Sequence, residues 1–350
     1  MAEKATKRPR AITMVPLRRC GSHALRLRLN KSPEFFSPYP LHLCDFKPLV
    51  DEHYQGLEDD NLYFQLIRDV IGFQDALMVK WKDVNFDPVD IYNAVKDDPH
   101  RSVHRIAWEM LSQAGEHHDA SIVMDKSLDN IHYAEELIET RPDMLFLNVV
   151  RDPRAQVDSM NRAIIYDFDY LLNAKRWVAA FDVMREVEAK YPERVLTVRF
   201  EDFINNQHVV LRKICEFMGI EYLDTMCDVS DSQEARKLSY LSSLWESNFS
   251  APIAANADKF RKNMSDDDIR MIESLAKEHM KSYGYEFMTD ADMEITEEMV
   301  AAAERRSEEN RRKAWKELRE KQPHDFILRS FRSDYINMVR ERLEQRPLNG

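Results

Sequence analysis

The chain has 350 residues, enough for one large domain or two of ordinary size. At 44% hydrophobic and 32% charged residues it holds enough apolar material for a packed core, which excludes a disordered chain. Its net charge of -12 excludes a general nucleic-acid binder, whose phosphate contacts need a positive surface, and argues against a polyanionic partner.

Residues 11–17 read as a short buried strand (Ile12, Met14, Val15, Leu17), and 21–30 as a helix carrying Leu25, Leu27 and Leu29. Pro33, Pro38 and Pro40 break the next stretch into extended loop. Apolar residues recur at helical spacing over 61–72 and 94–114. A second strand is predicted at 121–124, a helix at 130–140 and the strongest strand at 143–150, with Pro153 suited to the first turn of the helix that follows. Residues 167–190 form a long amphipathic pattern, followed by a strand at 194–200 and a helix at 207–218. Ser265 before Asp266, Asp267 and Asp268 is a capped helix start, because a serine can accept a backbone N–H and carboxylates favour the positive end of the helix dipole. Ile269, Ile272, Ala276 and Met280 continue that helix, and Gly284 is its stop.

Strands separated by helices predict an α/β fold, three layers α/β/α around a central, mainly parallel sheet. From about Thr296 the composition shifts, and residues 297–321, rich in Ala, Glu, Arg and Lys, predict a long exposed helix. The expected division is a domain at 1–290 and a helical C-terminal extension at 291–350, packed on the domain or on a partner subunit as a homo-oligomer contact.

Cys20, Cys44, Cys215 and Cys227 form no C-x-x-C pair and read as reduced thiols. His117-His118-Asp119 has no partner motif and reads as a solvated loop, so no metal is expected. The longest apolar run, 144–150, is far short of the roughly 20 residues of a spanning helix. The N-terminus, basic through Lys4, Lys7, Arg8 and Arg10, has no apolar signal core. The expectation is a cytoplasmic protein with no membrane partner.

Two segments carry chemistry. In V-P-L-R-R-C-G-S-H-A-L, Val15–Leu25, a strand runs through a one-glycine turn into a helix, which gathers backbone N–H groups and the helix dipole for an anion; Arg18, Arg19, Ser22 and His23 add side-chain donors. Alone it can equally be an ordinary strand–helix turn with surface arginines. It is not a Walker A loop, since Ser22 rather than lysine follows Gly21, and this disfavours a phosphotransferase of the P-loop kinase type. In F-L-N-V-V-R-D-P-R-A-Q-V-D-S, Phe146–Ser159, a buried strand ends at Arg151, whose fork matches a phosphate dianion, and Ser159 lies about two helical turns on. Ligands of open α/β sheets bind at that end of the strands.

Together, and in this order, these segments resemble the phosphosulfate loop and the R-[DN]-P-x5-S motif of the sulfotransferases that use 3′-phosphoadenosine-5′-phosphosulfate (PAPS). Arg19 falls on the loop's basic position, Cys20 on its small residue, Gly21 on its glycine and Ser22 on its hydroxyl; His23 stands where a second threonine is usual, and Ala24 follows. M-D-K-S, Met124–Ser127, resembles the central lysine segment, and V-R-F-E-D-F, Val198–Phe203, resembles Y-E-D-L with Phe200 in place of tyrosine. K-F-R-K-N-M-S, Lys259–Ser265, resembles the basic segment that closes over the nucleotide. The resemblance covers about 11–287 and leaves 46–120 and the last sixty or so residues unmatched.

It implies a sulfotransferase domain with a P-loop-like phosphosulfate turn, PAPS as co-substrate and PAP as product. Arg18, Arg19, Cys20, Gly21, Ser22, His23, Ala24, Arg151 and Ser159 would hold the nucleotide. Arg261 and Lys262 would close over it, with Arg162 and Lys259 as additions. Arg19 and Lys126 would neutralise charge on the transferring group. The usual histidine two residues after the central lysine is Leu128 here, so the base must come from elsewhere. His42 is the choice within 37–46, its ordinary pKa of about 6.5 suiting base work, with Asp45, His23 and His132 as alternatives and a packed loop histidine as the plain reading. Trp81, Trp108, Trp177 and Trp245 read as mostly core. The mixed apolar and polar segments 46–120 and 240–257 suggest a small organic alcohol or phenol as acceptor. A non-catalytic nucleotide-binding scaffold is the remaining alternative, supported only by the charged C-terminal arm.

Overall fold

The computed structural model describes residues 8–242 and 258–345. Lys4, Lys7, Trp245 and most of the proposed acceptor segment 240–257 lie outside the described residues. Five strands form one sheet: β1 Arg10–Val15, β2 Phe35–Phe36, β3 Ile122–Asp125, β4 Leu145–Val150 and β5 Val195–Arg199. Their order is β2-β3-β1-β4-β5, and every pairing is parallel.

Both faces of the sheet are covered, which is why its strands read as near-continuous apolar runs. On one face Ala11, Val15, Val123, Phe146 and Val150 join a large core with the helices Asp60–Asp75, Val103–His117, Pro153–Asn161 and Tyr170–Lys190. On the other, Ile12, Met14, Met124, Leu147 and Val149 pack with Ser22–Leu29 and Gln207–Met218. The three-layer α/β/α expectation holds, with the sheet parallel throughout. Trp81, Trp108 and Trp177 are buried core residues, and all four cysteines are free.

Most boundaries shift by one to three residues, and three elements differ more from the sequence reading. The predicted helix 94–114 is two helices, Pro88–Val95 and Val103–His117, because Pro99 interrupts the run and Ser102 caps the second one, accepting from Arg105 N–H. Residues 130–140 begin as the 3-10 turn Asp129–Tyr133 and become α-helical only at Ala134–Thr140. The helix capped by Ser265, with Asp268 completing a capping box, stops at Leu275, and a second helix, Lys277–Ser282, leads to Gly284 at φ 71.

The C-terminal extension is a helical hairpin, Glu297–Lys321 and Pro323–Gln345, lying on the rest of the chain. Arg306 pairs with Asp169 (2.8 Å) and Arg311 with Asp167 (3.1 Å), while Ser307 Oγ accepts from Phe168 N–H. On the returning helix, Arg342 pairs with Asp69, and Tyr335 donates to the Asp69 carbonyl at 3.0 Å. A Cβ at Gly72 would stand 2.1 Å from the Tyr335 oxygen, so the close approach of these helices depends on that glycine. Among the described residues no helix is long and apolar enough to cross a membrane.

One buried ion pair fastens the segment after Asn263 to the sheet. Arg154, in the first turn after β4, binds Glu273 (2.5 Å) and Asp152 (2.7 Å), and Glu273, fully buried, also accepts from the backbone N–H groups of Met288 and Thr289. Removing Glu273 leaves Arg154 with Asp152 alone and deprives the Met288 and Thr289 N–H groups of their acceptor, all in a low-dielectric site. Glu273→Ala is therefore expected to lose about 3–5 kcal/mol of unfolding free energy in urea titrations, whereas a loss below about 1 kcal/mol, the range of exposed pairs, contradicts this reading.

Candidate active site

Because all strands run the same way, the residues after β1, β3, β4 and β5 emerge at one edge of the sheet. The chain leaves β1 toward β2 and β4 toward β5, so the crevice outside the carboxyl ends of β1 and β4 is a topological switch point, where open α/β sheets take their ligands. The Arg18–His23 turn stands on one side of it and Arg151 on the other.

The turn is tightly curled. Arg19 (φ 73) and Gly21 (φ 88) both take the left-handed conformation, and the Gly21 carbonyl accepts the first helical bond, from Leu25 N–H at 3.2 Å. Turns of this kind make anion-binding concavities of their N–H groups. Gly21 is required twice over, because besides its φ a Cβ there would meet the Phe200 ring at 2.2 Å. Phe200, standing at the end of β5 in the usual tyrosine position, thus packs on the loop glycine, and the Arg151 guanidinium lies 5.0 Å from its ring centroid.

Arg19, Arg151 and Ser159 meet across the crevice. Arg19 Nε donates to Ser159 Oγ at 3.1 Å, and Arg151 Nη1 donates to the Arg19 carbonyl at 2.8 Å. Burial and the neighbouring Arg151 charge push the Arg19 guanidinium down to about 10, and burial also lowers Arg151, against the opposing pull of Glu201. Lys126, which follows β3 and is 2% exposed, points its ammonium to Ser22 Oγ at 3.5 Å. Burial, and after it the Arg26 charge, holds Lys126 well below its ordinary value. Buried cations that depress one another are stabilised by an incoming anion, because it supplies the missing opposite charge.

His42 is tied to Ser127, the residue after Lys126. Asp125 Oδ1 accepts from both Ser127 N–H (2.9 Å) and Ser127 Oγ–H (2.6 Å), and Ser127 Oγ in turn accepts from His42 N–H (2.9 Å). His42 is left-handed, φ 51. Burial, then Arg18, Lys126, Arg332 and His23, push its imidazole well below the usual histidine range, so at neutral pH it is uncharged. Its Nδ1 is buried and has no hydrogen-bond partner among the described residues.

The sulfotransferase family profile matches residues 11–224, well over half the chain, and the sulfotransferase domain profile matches 169–284. The chain belongs to the sulfotransferase family. Solved structures share the fold: the sulfotransferase domain of the Synechococcus PCC 7002 olefin synthase is 21% identical, with a TM-score of 0.50 over 79% of this chain and 97% of its own. The sulfotransferase domain from the curacin biosynthetic pathway is 18% identical, with a TM-score of 0.52 over 80% of this chain and 99% of its own. No curated protein matches.

Within this sulfotransferase the other sequence-predicted residues are placed as follows. Cys20, fully buried beneath the turn, has its thiol pushed up to about 11 by burial and is uncharged packing. His23 and Ala24 lie in the first turn of Ser22–Leu29, His23 6.1 Å from the Tyr39 ring and held well below the usual histidine range by burial and by Lys126. Arg18 turns away from the crevice, giving Nε to Asp129 (2.5 Å) and Nη2 to Asp45 (3.2 Å). Asp45 is further held by Arg332 at 3.5 Å and His132 is exposed on the 3-10 turn, whereas His42 and His23 are both buried and both feel the Lys126 charge. Arg261 and Lys262 stand exposed on the helix Phe260–Asn263, Arg261 paired with Asp258, and Lys259 is exposed as well. That helix is tethered instead by Asn263, whose amide donates to both oxygens of Asp158, one of which also takes Arg162 (2.5 Å). Among the described residues no cluster of three or more His, Cys, Asp or Glu side chains forms a metal site.

Gln156 escaped the sequence reading. Fully buried, it donates to the Arg18 carbonyl (3.0 Å) and accepts from the Trp177 indole (3.0 Å), tying the turn to the helix Tyr170–Lys190. Its position three residues before Ser159, on the same helix face, was the available signal. Gly21→Ala is expected to lower the unfolding free energy in urea titrations by more than the roughly 1–2 kcal/mol of a left-handed alanine, and Gly21→Ala/Phe200→Leu to recover only the steric excess. Equal stability of Gly21→Ala and the parent contradicts the close packing of Phe200 on the turn.

Proposed function

We propose that this sulfotransferase uses PAPS as its donor and transfers the sulfuryl group to the hydroxyl of a small organic alcohol or phenol. The observation that carries the reading is the convergence of Arg19, Lys126, Arg151, Ser22 and Ser159 on one crevice, with the buried cations depressed for want of an anion. In this reading the N–H groups of the Arg18–His23 turn, with Ser22, hold the 5′-phosphosulfate, Arg151 and Ser159 hold the 3′-phosphate, and Arg261 and Lys262 swing in from the edge on binding. Arg162 and Lys259 are better placed for solvent than for the nucleotide.

Transfer is an in-line displacement. The acceptor oxygen forms a bond to sulfur as the bond from sulfur to the bridging phosphate oxygen breaks, and PAP leaves with the electron pair. Arg19 and Lys126 neutralise charge growing on the bridging and sulfuryl oxygens. The acceptor proton goes to the unpaired ring nitrogen of His42. The burial and nearby cations that keep His42 uncharged keep it in the accepting form at neutral pH, and the same cations favour the negative charge developing on the acceptor oxygen.

PAP at 100 times its Kd is expected to stabilise the protein by about 2.7 kcal/mol in thermal unfolding, with Mg-ATP giving much less. The unaltered protein, given PAPS and a panel of phenols and alcohols, is expected to release PAP and a sulfated product. His42→Ala is expected to keep PAP binding and lose about 10²–10⁴ in kcat, the usual share of general-base catalysis. The acid limb of the parent's kcat/KM profile should lie below about pH 6.5, the ordinary histidine value. Stabilisation by Mg-ATP in preference to PAP overturns the donor, and near-parent turnover by His42→Ala overturns the base.

A further inference from the structure

Both family matches end by residue 284, yet the last helix returns to the crevice. Arg332, in the middle of Pro323–Gln345, gives one nitrogen, Nη2, to the carbonyls of Leu41 (2.7 Å) and His42 (3.2 Å), and the same nitrogen lies 3.5 Å from Asp45 Oδ2. Its guanidinium lies over the Phe73 ring, 3.9 Å from the centroid, and Phe73 stacks on Phe46 at 4.8 Å. The helix carrying it is set in register by Tyr335 on the Asp69 carbonyl, by Arg342 on Asp69 and by the gap left at Gly72.

His42 needs such support. A non-glycine residue in the left-handed region costs roughly 1–2 kcal/mol and persists only where its surroundings over-determine it. Its N–H is held from the sheet side by Ser127, and its carbonyl accepts from Asp45 N–H (3.0 Å) within its own turn. Among the described residues the hold from outside that turn on the carbonyl side comes from Arg332. We propose that Arg332 is a positioning residue for the reaction, carried in by the C-terminal helix to fix the strained turn on which His42 stands. The extension is then a working part of the catalytic site. This rests on the reading of His42 as the base.

The charge of Arg332 also acts on His42. The groups facing the imidazole are Arg18 from the phosphosulfate turn, His23 from the following helix, Lys126 from the end of β3, Arg332 from the C-terminal helix and Tyr39 from its own loop, edge-on at 6.4 Å. Removing one cation favours the imidazolium, so loss of Arg332 moves the His42 titration to higher pH.

The test uses the full chain and needs no natural acceptor. The His42 imidazole is titrated by NMR, with His42→Ala giving the assignment, in the parent, Arg332→Met and Arg332→Lys. PAP affinity and turnover of PAPS with unsubstituted phenol, whose hydroxyl keeps its proton at neutral pH, are measured on the same proteins. Arg332→Met is expected to raise the His42 pKa and change its ring shifts, to leave PAP affinity within about twofold, and to reduce kcat about ten- to a hundredfold. Arg332→Lys is expected to keep the titration near the parent's while still losing part of kcat, since an ammonium keeps the charge but not the planar fork. Should phenol prove a non-substrate, the NMR readings decide. A His42 signal in Arg332→Met with the parent's pKa and shifts overturns the proposal, as does a parallel loss of PAP affinity and folding in both variants. If His42→Ala alone is silent in turnover, the base reading falls. If His42→Ala is inactive and Arg332→Met behaves as the parent, only the positioning role falls.

Discussion

The structure depends on an unpaid electrostatic debt at the carboxyl edge of the sheet. Arg19, Lys126 and Arg151 are drawn together at the ends of three adjacent parallel strands, and burial together with neighbouring like charges disfavours the charged forms of Arg19 and Lys126. A fold does not hold cations out of water without a return. In the function proposed above the return is a site that an anion completes, and the features around it serve to keep it in shape: Gly21 under Phe200, Gln156 under the turn, and Asp125 fixing Ser127.

The cations divide into two kinds. Arg18, Arg26 and Arg154 are discharged by carboxylates: Asp129 and Asp45, Glu234, and Glu273 with Asp152. They belong to the scaffold and hold loops in place. Arg19 and Lys126 make their hydrogen bonds to serine hydroxyls, which orient a cation without neutralising it. That contrast separates the residues that hold the turn from those that can meet a sulfuryl group, and it moves Arg18 from the second class to the first.

Much of this was legible in the chain. The strands were readable because a sheet covered on both faces demands apolar runs, and Arg151 to Ser159 was readable because a strand end followed by a proline-started helix fixes both positions locally. The helix Glu297–Lys321 was found to the residue, since composition alone determines an exposed helix of that length. Other features depend on contacts distant in sequence. Nothing near Arg18 says that Asp129 lies across from it, 111 residues on, and nothing near His42 announces Arg332, 290 residues away. The split of 94–114 was missed because helical periodicity ran through Pro99 while the break depended on it. Arg261 and Lys262 carried the matching pattern, yet Asn263 makes the tether.

The cation cluster as an anion site is tested most directly by proton linkage. PAP binding is followed calorimetrically at several pH values from about 7 to 10, each in two buffers of different ionisation enthalpy, with the parent and with Lys126→Met. An arriving dianion tightens the hold of the buried Lys126 on its proton, so over the pH range in which Lys126 of the free protein titrates the parent should take up protons on binding and the variant should not. Binding with no proton uptake, or the same uptake in Lys126→Met, would contradict the assignment of Lys126 and its neighbours to the donor phosphosulfate.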